Sequence, residues 1–174
     1  MRLKVLKVKM WYNDVGRENA LNGMDKLFED QTLVIHTDGG ARGNPGPAAI
    51  GVVIGTKHYG ERIGETTNNV AEYKAVIFAF KKAKQLLGKT KAKQTEIEIN
   101  TDSELLYKQI NGNYKILEPE LQKLFIEVWN LKQDFKKVVW KKVPREENRE
   151  ADRMVNQALD GKLKQKTEEQ TKLW

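Results

Sequence analysis

The stretch from Leu33 to Glu65 restricts the possible folds more than any other part of the chain. Three β-type segments follow one another there, joined by connections too short to hold a helix. Leu33–Asp38 (LVIHTD) reads as a strand and runs into a Gly/Pro loop, GGARGNPGP. Ala48–Thr56 is apolar and β-branched, and His58–Glu65 forms a third strand after a turn at Lys57. Strands joined this closely form an antiparallel meander. The pattern then changes to alternation. Asn69–Leu87 is helical, with Val76, Ala79, Phe80, Ala83 and Leu87 at helical spacing and Gly88 as the stop signal. Lys89–Lys93 is a basic connector, Thr95–Thr101 a strand, Ser103–Ile110 a short helix and Asn111–Lys115 a turn. Pro119 opens a helix running to about Gln133, Lys137–Val143 is a strand, and Arg149–Leu159 is the final helix. The expected fold is α/β, a five-stranded mixed sheet (a three-strand antiparallel meander plus two parallel strands) flanked by helices. Right-handed crossovers would set the fourth strand beside the first and parallel to it. Sites in such sheets form in the crevice at the carboxyl ends of the strands.

A chain of 174 residues accommodates one such domain with tails. The partition expected is an N-terminal extension at 1–30, the α/β domain at 31–160 and a polar tail at 161–174. The extension holds one possible strand, Arg2–Tyr12, which would add an edge to the sheet, and Trp174 is a candidate for docking. No stretch approaches the roughly 20 apolar residues that span a bilayer, so no membrane association is expected. The start lacks a continuous apolar region and a small-residue cleavage site, so no secretory signal is expected either. There are no cysteines, which removes disulfides, thiolate metal sites and cysteine nucleophiles, and fits a reducing, cytoplasmic setting. The net charge of +7 makes nucleic acid a candidate partner, because Lys and Arg neutralise phosphates.

Four carboxylates stand in places that a simple fold would avoid. Two strands end alike, IHTDGG at 35–40 and INTDSE at 99–104. If neighbouring strands lie about 4.8 Å apart, Asp38 and Asp102 face each other. Each aspartate also has a plainer reading, as a turn former or, for Asp102, as a helix N-cap. Glu72 shares a helix stripe with Val76, Ala79, Ala83 and Leu86, which should face the sheet. A carboxylate there is costly unless something positive compensates it. Asp152 aligns with Val155 and Leu159 on the last helix, with pairing to Arg149 or Arg153 as the structural alternative. Together the four raise one another's pKa values and call for hard divalent cations with oxygen ligands. Two such ions roughly 4 Å apart suit attack on a phosphodiester.

Read in order, the blocks TDGGARGNPGPAAIGVVI, TTNNVAEYKAVIFAF, INTDSELLYKQING and VPREENREADRMVNQAL resemble the type 1 ribonucleases H across about Leu33 to Leu159. The resemblance implies metal-ligand and catalytic roles for Asp38, Glu72, Asp102 and Asp152. It implies two Mg²⁺ ions with substrate bound, Mn²⁺ as a substitute, and hydrolysis of the RNA strand of an RNA/DNA hybrid to 5′-phosphate and 3′-hydroxyl ends. Gly39, Gly40, Ala41, Arg42, Asn44, Thr67, Asn68 and Asn69 would contact the hybrid. The amides would read the 2′-hydroxyls, and Thr67 and Asn44 would grip the phosphates of the DNA strand. Asn68 and Asn69 have a second reading as a helix N-cap. A monomer with no protein partner is expected.

Two features depart from many members of the family. The loop VPREEN has no histidine before the last aspartate; His36 lies in a strand and His58 in a turn. Either the metals manage without one, or Arg145 or a glutamate (Glu146 or Glu147) assists, unless those glutamates are simply exposed. The region Gly112–Glu118 lacks a basic protrusion, which leaves Lys108, Lys115, Lys141 and Lys142 as candidates for holding substrate. Two other functions remain open: a nuclease of the same fold with another nucleic-acid substrate, and a hybrid-binding module without catalysis.

Overall fold

The computed structural model describes residues 32–163. The extension at 1–30 and the tail from 164, with the edge strand and Trp174 considered above, lie outside the described residues. The strands are β1 (Leu33–Ala41), β2 (Gly46–Ile54), β3 (Lys57–Thr66), β4 (Glu96–Thr101) and β5 (Lys137–Lys142). The helices are α1 (Asn68–Leu87), α2 (Lys89–Ala92), α3 (Glu104–Ile110), α4 (Pro119–Lys132) and α5 (Arg149–Leu159), with a 3₁₀ turn at Arg145–Glu147. The sheet order is β3-β2-β1-β4-β5. β1, β2 and β3 pair antiparallel, and β4 lies parallel to β1 and β5. This is the mixed five-stranded sheet that the sequence implies.

The two faces of the sheet are covered unequally. On one face Ile35, Val52, Ile97 and Ile99 pack against Val76, Ala79, Phe80 and Ala83 of α1, with Leu121 and Val128 of α4 in the same core. Each fully buried large side chain there contributes about 1.5–3 kcal/mol. On the other face a smaller cluster of Ala49, Val155, Ala158 and Leu159 seats α5.

Several boundaries differ from the sequence reading, each for a local reason. β1 continues through Gly39, Gly40 and Ala41, so Asp38 lies inside the strand and not at its end. The hairpin turn sits at Gly55–Thr56, with Gly55 at positive φ, and Lys57 and His58 already belong to β3. Thr67, and neither asparagine, is the N-cap of α1; its hydroxyl accepts from the Val70 N–H at 3.3 Å. Gly88 ends α1 with φ +76°, a conformation open to glycine at little cost. Leu86 is 41% exposed, so the buried stripe that begins at Glu72 ends at Ala83.

Candidate active site

Asp38 is held against two helices by two glycines. Gly39 follows it on β1, and Gly51 pairs with it across the β1–β2 ladder. A Cβ on Gly39 would sit 2.2 Å from the Ala71 carbonyl carbon and 2.3 Å from the Glu72 nitrogen of α1. A Cβ on Gly51 would sit 2.0 Å from the Ala151 oxygen of α5. Neither contact is possible for a larger residue, so these positions let the first turns of α1 and α5 close on the sheet from opposite faces. Asp152 lies in the first turn of α5, and Glu72 follows directly on the first turn of α1. Asp102 arrives from the end of β4, the neighbour of β1.

The result is an inner group of three carboxylates. One oxygen from each of Asp38, Glu72 and Asp102 lies within 4.8 Å of the other two. Burial and the neighbouring Asp102 and Asp152 charges push the Asp38 carboxyl up to about 7. Burial, then the charges of Asp38 and Asp102, push Glu72 well above the usual carboxylate range. The Gly39 N–H works the other way on both. Glu72 Oε2 is buried with no hydrogen-bond partner. An orphaned carboxylate oxygen facing two more carboxylates suits a hard cation, which is the test that a metal centre must pass.

Asp102 does not cap α3. Ser103 does, its hydroxyl accepting from Leu106 N–H at 3.4 Å. Asp102 is instead held by Asn148, a residue the sequence reading passed over. Asn148 is fully buried, and its Nδ2 donates to Thr37 O at 3.0 Å and to Asp102 Oδ1 at 2.7 Å. The only signal in the sequence was an asparagine preceding a helix, which points to a cap. The structure uses the backbone position as a cap without a side-chain cap bond and spends the amide on the site.

Asp152 forms an outer position at the same cleft. Its partner is Arg145, with Nη2 to Oδ1 at 3.0 Å, and not Arg149 or Arg153; Arg153 pairs with Glu150. Asn156 Nδ2 donates to Asp152 Oδ2 at 3.0 Å. Arg145 lies beside Asp152 at the cleft, while Glu146 and Glu147 are exposed.

A cleft of about 370 Å³ is lined by all four carboxylates together with Gly39, Gly40, Ala41, Arg42, Asn68 and Arg145. Asn44, Thr67 and Asn69 do not line it. Asn44 and Asn68 instead tie the β1–β2 loop to the start of α1. Asn44 Oδ1 accepts from Asn68 N–H at 3.0 Å, and Asn68 Oδ1 accepts from Ala41 N–H at 2.7 Å. Both amides keep their NH₂ groups for other partners. Of the lysines considered for substrate, Lys108 and Lys142 pair with Glu104, and Lys141 pairs with Glu98 at 2.7 Å. His58 sits in β3 against Glu150 at 3.1 Å, and the structure shows neither histidine lining the cleft.

This sheet, with carboxylates gathered where β1 and β4 meet the first turns of two helices, is found in a known class. Residues 36–158 match the family described as reverse transcriptase-like. Ribonuclease HI of Halobacterium salinarum is 33% identical over 174 aligned positions, covering 87% of this chain and 84% of that protein. A bifunctional protein of Mycobacterium tuberculosis is 38% identical over 135 residues, covering 74% of this chain and 35% of its own length. The chain therefore spans about a third of the mycobacterial relatives it matches. The structure of LC11-RNase H1 in complex with RNA/DNA hybrid superposes with a TM-score of 0.71 at 42% identity, covering 75% of this chain and 99% of that one. The chain belongs to the type 1 ribonuclease H family.

Proposed function

We propose that this chain is an endonuclease that hydrolyses the RNA strand of RNA/DNA hybrids, leaving 5′-phosphate and 3′-hydroxyl ends. The observation that carries the reading is the Glu72 carboxylate, clustered with those of Asp38 and Asp102 and with its Oε2 buried and unpartnered among the described residues. Among the described residues no donor reaches it, and a divalent cation would satisfy it. Asp38, Glu72, Asp102 and Asp152 are the proposed ligands, with Mg²⁺ as the ion, two with substrate bound, and Mn²⁺ as a substitute. When bound, such ions supply positive charge against the phosphodiester and its attacking and leaving oxygens.

The chain's own residues have separable tasks. Asn148 fixes Asp102, and the Gly39 N–H steadies Asp38 and Glu72. Arg145 holds Asp152 from the solvent side and brings positive charge to the cleft mouth. The segments Gly39–Asn44 and Thr67–Asn69 are locked together by the asparagine bonds above. They are the proposed surface for the minor groove, where the 2′-hydroxyl distinguishes RNA from DNA. The hybrid bound by LC11-RNase H1 supports that substrate. All four carboxylates come from one chain, which supports a monomer acting without a protein partner. Among the described residues no helix is long and apolar enough to cross a membrane; the absence of cysteine supports the cytoplasm as the compartment.

A strand-labelled hybrid incubated with Mg²⁺, with Mn²⁺ and with chelator tests this. The expected result is metal-dependent cutting of the RNA strand alone. No cutting with either metal, or equal cutting of double-stranded DNA, would contradict it.

A further inference from the structure

The β1–β2 loop is anchored to the far end of α5 through one charged residue. The Arg42 guanidinium donates from Nη2 to Asp160 Oδ1, and Lys162 Nζ lies 2.9 Å from Asp160 Oδ2. Hydrogen bonds from Arg42 and Lys162 hold the Asp160 carboxyl at about 2, so it is charged under all ordinary conditions. Its backbone is fixed as well. Arg62 of β3 donates through Nε to Ala158 O at 2.8 Å and through Nη2 to Leu159 O. These are carbonyls of the last turn of α5, which a cation satisfies well. Arg42 is half exposed, lines the carboxylate cleft, and has no other side-chain acceptor among the described residues.

We propose that Asp160 is a positioning residue for substrate. It holds the Arg42 guanidinium at the rim of the cleft, so that the remaining N–H groups meet a phosphodiester oxygen of the hybrid. The proposal rests on the hybrid-cleaving reading and deepens it. Its physical basis is the planar fork of arginine, which binds phosphate well but sits on a chain rich in rotamers. An arginine already held loses less freedom on meeting its phosphate. Simple charge predicts the reverse. Removing a carboxylate beside a polyanion should tighten binding by making the face more positive. The two effects have opposite signs, so the sign of the change decides between them.

The test compares Asp160→Ala, Asp160→Asn, Arg42→Ala and the Arg42→Ala/Asp160→Ala double variant in the full chain. Cleavage of a hybrid is followed for kcat and KM in Mg²⁺. Equilibrium binding of a fluorescent hybrid is followed in chelator. Thermal melting of each variant checks that the fold is intact. Asp160→Ala is expected to raise KM and Kd about three- to tenfold, the size of the freedom lost on immobilising one long side chain, with kcat unchanged. Asp160→Asn, which can still accept from Arg42, should recover part of the loss, and in the Arg42→Ala background the effect should vanish. Unchanged or tighter binding by Asp160→Ala overturns the proposal, as does a loss that persists without Arg42. Wild-type protein that neither cuts nor binds hybrid sinks the functional reading and this proposal together. Wild-type cutting with Asp160→Ala unaltered sinks the role of Asp160 alone.

Discussion

The inner carboxylates, Asp38, Glu72 and Asp102, and the outer one, Asp152, share a cleft but differ in what balances their charge. Asp152 is half exposed and carries its own counter-ion in Arg145. Among the described residues the inner three form no ion pair, and the Arg145 charge reaches Asp38 and Asp102 only from a distance. Asp38 is nearly buried and is pushed up to about 7, and Glu72 is pushed further from its usual range. Charge that a fold could neutralise with one more arginine has been left open at the inner group and closed at the outer one. The difference favours the inner three as the proposed seat of an external cation, with Asp152 as the adjustable member of the set.

That contrast can be broken by substitution. Asp38→Asn, Glu72→Gln or Asp102→Asn should each lower hybrid cleavage by about 10³-fold or more if each is a ligand of the proposed metal centre. Asp152→Asn should leave metal binding by the inner three intact in calorimetry while still reducing turnover. Equal loss of metal affinity in Asp152→Asn would erase the inner–outer distinction.

A next-largest effect concerns the approach that brings the outer carboxylate to the cleft. Gly51→Ala forces a Cβ into the Ala151 carbonyl and should destabilise the fold by about 2–4 kcal/mol as α5 moves away from the sheet. Chemical denaturation measures this, and a change below half a kcal/mol would show that α5 can shift freely.

The pH dependence of the metal-free protein follows from Asp38. Unfolded, it releases its proton near 4, and folded it keeps the proton to about 7. The native state binds more protons across that window, so stability falls as pH rises from about 4 to about 7 and levels off above. The full contribution is on the order of 4 kcal/mol, shared among the coupled carboxylates. Asp38→Asn should flatten this slope in melting experiments, and Mg²⁺ should release protons near pH 6.5. A stability that rises with pH through this window would contradict the assignment. The smallest effect expected is at Arg145. It is an exposed pair partner, and Arg145→Ala should change stability by no more than about 1 kcal/mol.

Much of this was legible in the sequence because the fold is built from strong local patterns. The meander, the crossover and the bounds of α5 at Arg149–Leu159 follow from hydrophobic spacing, and the four carboxylates stood out as charges on faces that should be apolar. What escaped were features set by contacts between distant segments. Gly39 and Gly40 looked like loop residues because glycine weakens strands, whereas Gly39 is in β1 to admit α1. Asn148 gave no signal beyond an asparagine before a helix, yet its amide bonds Asp102, 46 residues away, and Thr37 of β1. Arg145 was one of several nearby arginines, and only the 3₁₀ turn at Arg145–Glu147 turns it toward Asp152. Lys108, Lys141 and Lys142 looked available for substrate until their glutamate partners were placed beside them by the sheet and α3.

Thermal unfolding of the wild type and of Glu72→Gln, each titrated with Mg²⁺ from a chelated start, tests the central claim most directly. The account predicts that metal-free Glu72→Gln melts above the wild type, and that Mg²⁺ raises the melting temperature of the wild type but leaves the variant where it was. A wild type that is the more stable of the two without metal, with both responding alike to Mg²⁺, would contradict it.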